Sequence, residues 1–216
     1  QRLIAMPLVV TLLMLVAPLI HPYVVGAVVI LLSIILHTIH KTQYLAIAIA
    51  VLAFFYGVGL IPVTGFLSPL MMIAWGEYLA RRFSQYGPEM LIFTGGAILG
   101  IAATMLWCHQ FDGLVAIIAV VVLLMLRSIL TERDDAGVIG LLGVAMTITL
   151  FADLEFSVNT TMLVLVVVIC AGFAYFAFRA KTVDASGVFA AVLFVIILIT
   201  FAGVNWFLVV ITFFIP

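Results

Sequence analysis

The stretch AWGEYLARR gathers Glu77, Arg81 and Arg82 within six positions. A carboxylate and a guanidinium four residues apart share one face of a helix and can neutralise each other. The same trio has a second use at a membrane surface, where Glu77 takes a proton or a metal ion and Arg81 or Arg82 holds a phosphate. On this stretch alone, a helix-end ion pair with two basic anchors is the favoured explanation. Further along, RSILTERDDAG holds Arg127, Glu132, Arg133, Asp134 and Asp135. Adjacent acids diverge on a regular element, but on a loop Asp134 and Asp135 can ligate one hard cation, as Mg²⁺ is commonly held for phosphate substrates. A solvated turn ahead of a helix N-terminus is the competing explanation. The sequence identifies no catalytic residue.

Other reactive types are scattered. His21, His37, His40 and His109 have no second histidine or carboxylate at HExxH-like spacing and read as interfacial polar residues. Cys108 and Cys170 stand 62 positions apart and form neither a CxxC pair nor a Cys/His cluster. Gly96-x-x-x-Gly100, and the series Gly137, Gly140 and Gly143, have the spacing that lets helices approach closely, and nothing beside them supplies the strand or the GK[ST] of a phosphate loop. Asn159-Thr160-Thr161 is a glycosylation sequon by pattern, at the very start of an apolar segment.

The elements that must position these residues follow from composition. The chain has 216 residues, 68% hydrophobic and 8% charged, with mean hydropathy +1.48. Soluble domains average about 45–50% apolar and about 25% charged residues, so the bilayer is the expected solvent. Runs this continuously apolar predict helices rather than the alternating strands of a barrel. A net charge of −1 supplies no basic field for nucleic acid. Polar breaks divide the chain into segments 3–20, 22–38, 44–60, 63–80, 90–107, 111–127, 137–152, 160–178, 187–203 and 205–216. That predicts an all-α, polytopic transmembrane bundle of nine full spans and a tenth cut short, since 12 residues from Asn205 cover roughly 18 Å of a core about 30 Å thick. A chain extending beyond Pro216 is the expectation. Arg2 precedes the first segment, and Lys41, Arg81, Arg82, Arg127, Arg133, Arg179 and Lys181 all fall in or beside the joints after segments two, four, six and eight. Positive-inside bias then makes that face, and the N-terminus, cytoplasmic, in a multi-pass protein of the cell membrane. Apart from Glu77, near one end of its segment, no acid, Lys, Arg or His falls at mid-bilayer depth, which lowers the expectation of an ion-coupled transporter.

The last stretch, TVDASGVFAAVLFVIILITFAGVNWFLVVITFFI, carries Ser186, Gly187, Ala190, Ala191, Gly203, Trp206, Phe213 and Phe214. In this arrangement it resembles the opening of a membrane domain found in plant phytyl-phosphate kinase and related archaeal and bacterial membrane proteins. Upstream, Gly76-Glu77 ending a span, a Gly-rich span after it, and Asp134-Asp135 in a polar joint are similar to CTP-dependent polyprenol kinases and their cytidylyltransferase relatives. Glu77 departs from the more usual Asp, and Ala136 stands where an Asn commonly follows the acid pair. The resemblance divides the chain into an N-terminal helical membrane region, 1–178, and the start of a second membrane domain, 179–216. It implies a lipid-pathway enzyme acting on an isoprenoid alcohol or its phosphate among membrane lipids. Glu77, Arg81, Arg82, Ser186 and Gly187 would then contact substrate, and Asp134 and Asp135 a metal. CTP and Mg²⁺ are implied by the resemblance alone. In these relatives the most characteristic acidic motif lies beyond the equivalent of Pro216, so part of the active site is expected outside this sequence. The alternatives are a transporter or lipid translocase, recognisable by a cavity reaching mid-bilayer and a repeat between halves, and a membrane scaffold without a ligand.

Overall fold

The computed structural model describes residues 2–40, 43–110, 112–130, 136–152, 159–179 and 185–214. They form α1 (Arg2–Val16), α2 (Pro22–His40), α3 (Gln43–Gly57), α4 (Val63–Phe83), α5 (Glu89–Trp107), α6 (Gly113–Ile129), α7 (Ala136–Ala152), α8 (Thr160–Arg179), α9 (Ala185–Ala202) and α10 (Val204–Phe214), with a 3-10 turn at Ala17–Leu19. Each helix falls on one of the ten predicted segments, its ends displaced by a few residues.

Local chemistry sets those ends. A proline opens the 3-10 turn that stops α1, and Pro22, which needs no N–H partner, takes the first position of α2. Gly59 and Gly203 adopt φ of +82° and +86° in the turns after α3 and α9, a backbone that residues with a Cβ rarely enter. Asp112 caps α6, its Oδ1 accepting from the backbone N–H groups of Leu114 at 2.9 Å and Val115 at 3.2 Å. These turns consume residues that hydropathy assigns to spans. Among the described residues, one helix, Glu89–Trp107, is long and apolar enough to cross a membrane by length and composition, and six other apolar stretches are shorter. The architecture is therefore an all-α assembly of ten helices; a count of nine spans goes beyond helix length alone.

Contacts between helices show that α2 to α6 alternate up and down. Tyr56, near the end of α3, stacks on Phe66, near the start of α4, with ring centroids 4.6 Å apart. At the same end of the bundle, Gly26 near the start of α2 abuts Ala53 and Gly57 near the end of α3. Thr64 at the start of α4 also donates to the Gln110 side-chain oxygen just past α5, at 3.4 Å. Arg127 at the end of α6 meets Glu77 near the end of α4 and Glu89 at the start of α5, which places these three on the opposite end.

Helix α4 is the pillar of the fold, with twelve of its 21 residues buried, from Thr64 to Ala80. It packs against α1, α3, α5 and α7. Its residues join one core with α1, α2, α3 and α7, centred on Leu52, Phe66 and Leu67. They join a second with α5, α6 and α7, centred on Met72, Phe93 and Ile101. A third core, around Ile118 and Ile196, ties α6 to α8, α9 and α10. The outward faces are apolar as well: Leu12, Leu31, Leu91, Leu99, Val168 and Phe201 are each 60–68% exposed, on five different helices.

Candidate functional site

The last turns of α4 and α6 and the first turn of α5 meet at one end of the bundle. Arg81 and Arg127 each sit in the last turn of their helix and Glu89 in the first turn of α5, where the helix dipoles favour those signs. Arg81 Nε lies 3.4 Å from Glu77 Oε2, as the four-residue spacing predicts. The other carboxylate oxygen, Oε1, accepts from Arg127 Nη1. Arg127 Nη2 donates to Glu89 Oε1 at 2.9 Å. Beneath this fork, the guanidinium carbon of Arg127 stands 3.9 Å from the centroid of the Phe93 ring, and Phe93 is 1% exposed. A cation over a desolvated aromatic face is attracted by the ring quadrupole. Phe93 in turn fills the space above Gly76, where a Cβ would come within 2.7 Å of its ring.

Both oxygens of Glu77 thus hold guanidinium groups, so the carboxylate acts here as an ionic tie rather than as an open metal ligand. Among the described residues, no group of three or more His, Cys, Asp or Glu side chains could hold a metal ion. Asp134 and Asp135 lie outside the described residues, as does the side chain of Ser186. Arg82 is exposed beside Arg81 with no ion-pair partner among the described residues. Ser186 and Gly187 open α9, which packs on α6, α8 and α10, while Phe189 two residues on reaches the core shared by α4 to α7. Of the proposed substrate contacts, then, Glu77 and Arg81 are joined directly. Arg127 and Glu89 are the members that sequence reading missed. Arg127 is 50 residues from one partner and 38 from the other, and its only local signal was a charge at a helix end.

A cavity of about 280 Å³ opens beside the cluster. Its walls come from the first halves of α1, α3 and α7 (Val10, Ile49 and Leu141 among them) and from Leu70, Ile73 and Ala74 of α4. Glu77, Tyr78 and Arg81 form its polar end. Trp75 faces α1, donating from Nε1 to Thr11 Oγ1 at 3.1 Å, and meets Tyr78 edge-on. No protein family, curated protein or solved structure matches this chain. The site has therefore to be read from its own chemistry. Arg81 and Arg127 balance Glu77 and Glu89 in one ion-pair network at the polar end of an apolar chamber, with the exposed Arg82 beside it.

At the opposite end of the bundle the Asp112 carboxylate is engaged in capping α6. Cys108, half-buried just past α5, has its thiol pushed up by burial.

Proposed function

We propose that this chain is a multi-pass integral membrane protein, N-terminus and basic residues cytoplasmic, with nine full spans and a tenth. Its function, in this reading, belongs to lipid metabolism: an enzyme resembling CTP-dependent prenol and prenyl-phosphate kinases. An isoprenoid chain lies between the helices, with its phosphate at the cytoplasmic end near Arg81 and Arg82. The observation that carries the reading is the junction of an apolar cavity with an arginine–glutamate cluster in which the Arg81 side chain stays exposed, at the end of the bundle where α1 begins and α4 and α6 end. The membrane placement is supported by the large apolar side chains exposed on every helix, a surface that water-soluble monomers rarely carry in contiguous patches. CTP and Mg²⁺ enter only through the resemblance of Gly76-Glu77 and Asp134-Asp135 to those enzymes.

Membranes containing the full-length protein, given labelled CTP and a prenol or prenyl phosphate, should transfer phosphate. Arg81→Gln should reduce the transfer by about ten-fold, the scale of one lost charge-assisted contact. Absence of transfer with every prenol tried would refute the enzyme reading, and release of the protein by alkaline carbonate would refute the membrane placement. A transporter or lipid translocase is the rival, and one feature of α4 favours it. Pro69 offers no N–H to the Gly65 carbonyl, and the Ser68 hydroxyl, fully buried, has no hydrogen-bond partner among the described residues. A proline-interrupted helix carrying a buried, unpartnered hydroxyl is the kind of irregularity that substrate paths use. Movement of a labelled lipid between leaflets of proteoliposomes, lost on Ser68→Ala, would decide for that rival.

A further inference from the structure

We infer that the cavity between α1, α3, α4 and α7 is a binding site for one single-chain amphiphile with a monophosphate-like head, gripped by the terminal nitrogens of Arg81. The inference rests on the membrane placement proposed above and specifies its ligand; it needs no phosphotransfer chemistry.

The head is argued from donors. Arg81 spends only Nε on Glu77, and its two Nη groups have no partner among the described residues while the side chain is 63% exposed. A guanidinium with two parallel N–H groups free matches two oxygens of a phosphate or carboxylate. Glu77 does not repel such a head strongly, because both its oxygens are already held by arginines. Arg127 cannot turn to the ligand, being held by Glu77, Glu89 and the Phe93 ring; it keeps Glu77 in place, and Glu77 keeps Arg81 at the mouth. Arg81 is therefore the residue that reads the head, and Arg127 a positioning residue.

The chain is argued from volume and length. A methylene group takes up slightly less than the share of a water molecule in the liquid, about 30 Å³, so 280 Å³ holds about ten of them. That size suits a single chain. From Arg81 to Leu70 the cavity follows α4 for eleven residues, about 16 Å, which suits an extended chain of that size. Ile73, Ala74 and Leu141 line the route and offer no polar group to a second head.

Trp75 provides a local reporter, since it neighbours Ala74 and bonds to Thr11 on the helix that supplies Val10. Trp107 and Trp206 are both exposed and replaceable by phenylalanine, which leaves Trp75 as the sole indole. In nanodiscs, a terminally brominated decyl phosphate should quench Trp75 saturably. Arg81→Gln should weaken that binding by about ten-fold, Arg179→Gln, at the exposed end of α8 and outside the cavity lining, by less than about two-fold, and Ala74→Leu should remove the quenching by filling the chamber. Arg81→Lys, which keeps the charge but loses the fork, should fall between, and an unchanged Trp75 emission maximum shows that each variant has folded. Unaltered affinity in both Arg81→Gln and Ala74→Leu overturns the proposal. So does displacement of the probe by equimolar inorganic phosphate, equal quenching by brominated decanol, or equal quenching by a brominated two-chain phosphatidic acid. Saturable quenching without CTP-dependent transfer sinks the enzyme reading and leaves this site standing. Transfer without quenching does the reverse.

Discussion

Arg127 has more partners than any other charged side chain described here: two carboxylates and a ring. Its side chain is 24% exposed and that of Glu77 33%, so the pair sits between the weak ion pairs of open surfaces and the costly ones of dry interiors. Replacing Arg127 by alanine leaves Glu77 with one partner and Phe93 uncovered. The expected loss is about 1–3 kcal/mol in a detergent unfolding titration. Arg127→Lys should recover less than half of it, because a lysine lacks the fork that reaches both acids. Arg82→Ala, at an exposed position without such partners, should stay within about 0.5 kcal/mol. Equal losses at both positions would show that the three-way tie contributes nothing beyond surface charge.

Glycine spacing decides how closely α4 and α5 approach. A Cβ on Gly96 would stand 2.7 Å from the Trp75 carbonyl oxygen, and one on Gly100 2.8 Å from the Met71 backbone. Neither neighbour can rotate away, since both are backbone. Gly96→Ala or Gly100→Ala should therefore cost about 1–3 kcal/mol through overpacking and lower the thermal midpoint of the solubilised protein. Gly95, one residue earlier, faces open space. Gly95→Ala should be neutral or stabilising by up to about 1 kcal/mol, as helix propensity dictates. The three glycines of α7 behave less uniformly than their spacing implies: Gly143 crowds Leu126 and Gly140 touches Leu123, both on α6, whereas Gly137 looks towards Leu45 on α3. A helix advances 100° per residue, so positions three apart drift round the axis and can meet different neighbours.

For the whole molecule the decisive question is orientation, and Cys108 reports on it. It follows α5 at the end of the bundle away from the arginines, while Cys170 lies within α8. In a Cys170→Ser background, a membrane-impermeant maleimide added outside intact cells should label Cys108, and a cysteine placed at Ser84 should react only after lysis. Because burial raises the Cys108 thiol, little of it is thiolate near neutral pH. Labelling should run slower than that of a free thiol and quicken as pH rises. The reverse sidedness would invert the topology and with it the placement of the cavity at the cytoplasmic face.

Ten apolar segments, to within a few residues at their ends, and the collection of basic residues in alternate joints were legible in the sequence, because each depends on local hydropathy and on turn residues such as Pro22, Asp112 and Gly203. The pairing of Glu77 with Arg81 was legible too, since four residues make one helical turn. Tertiary structure alone brought Arg127 and Glu89 to Glu77, seated the cation on Phe93, and opened a cavity between α1, α3, α4 and α7. Hydropathy says that a helix is apolar all round and nothing about which face meets which neighbour. That choice belongs to close packing, here the contact of Gly96 and Gly100 with the backbone of α4, which no single segment encodes.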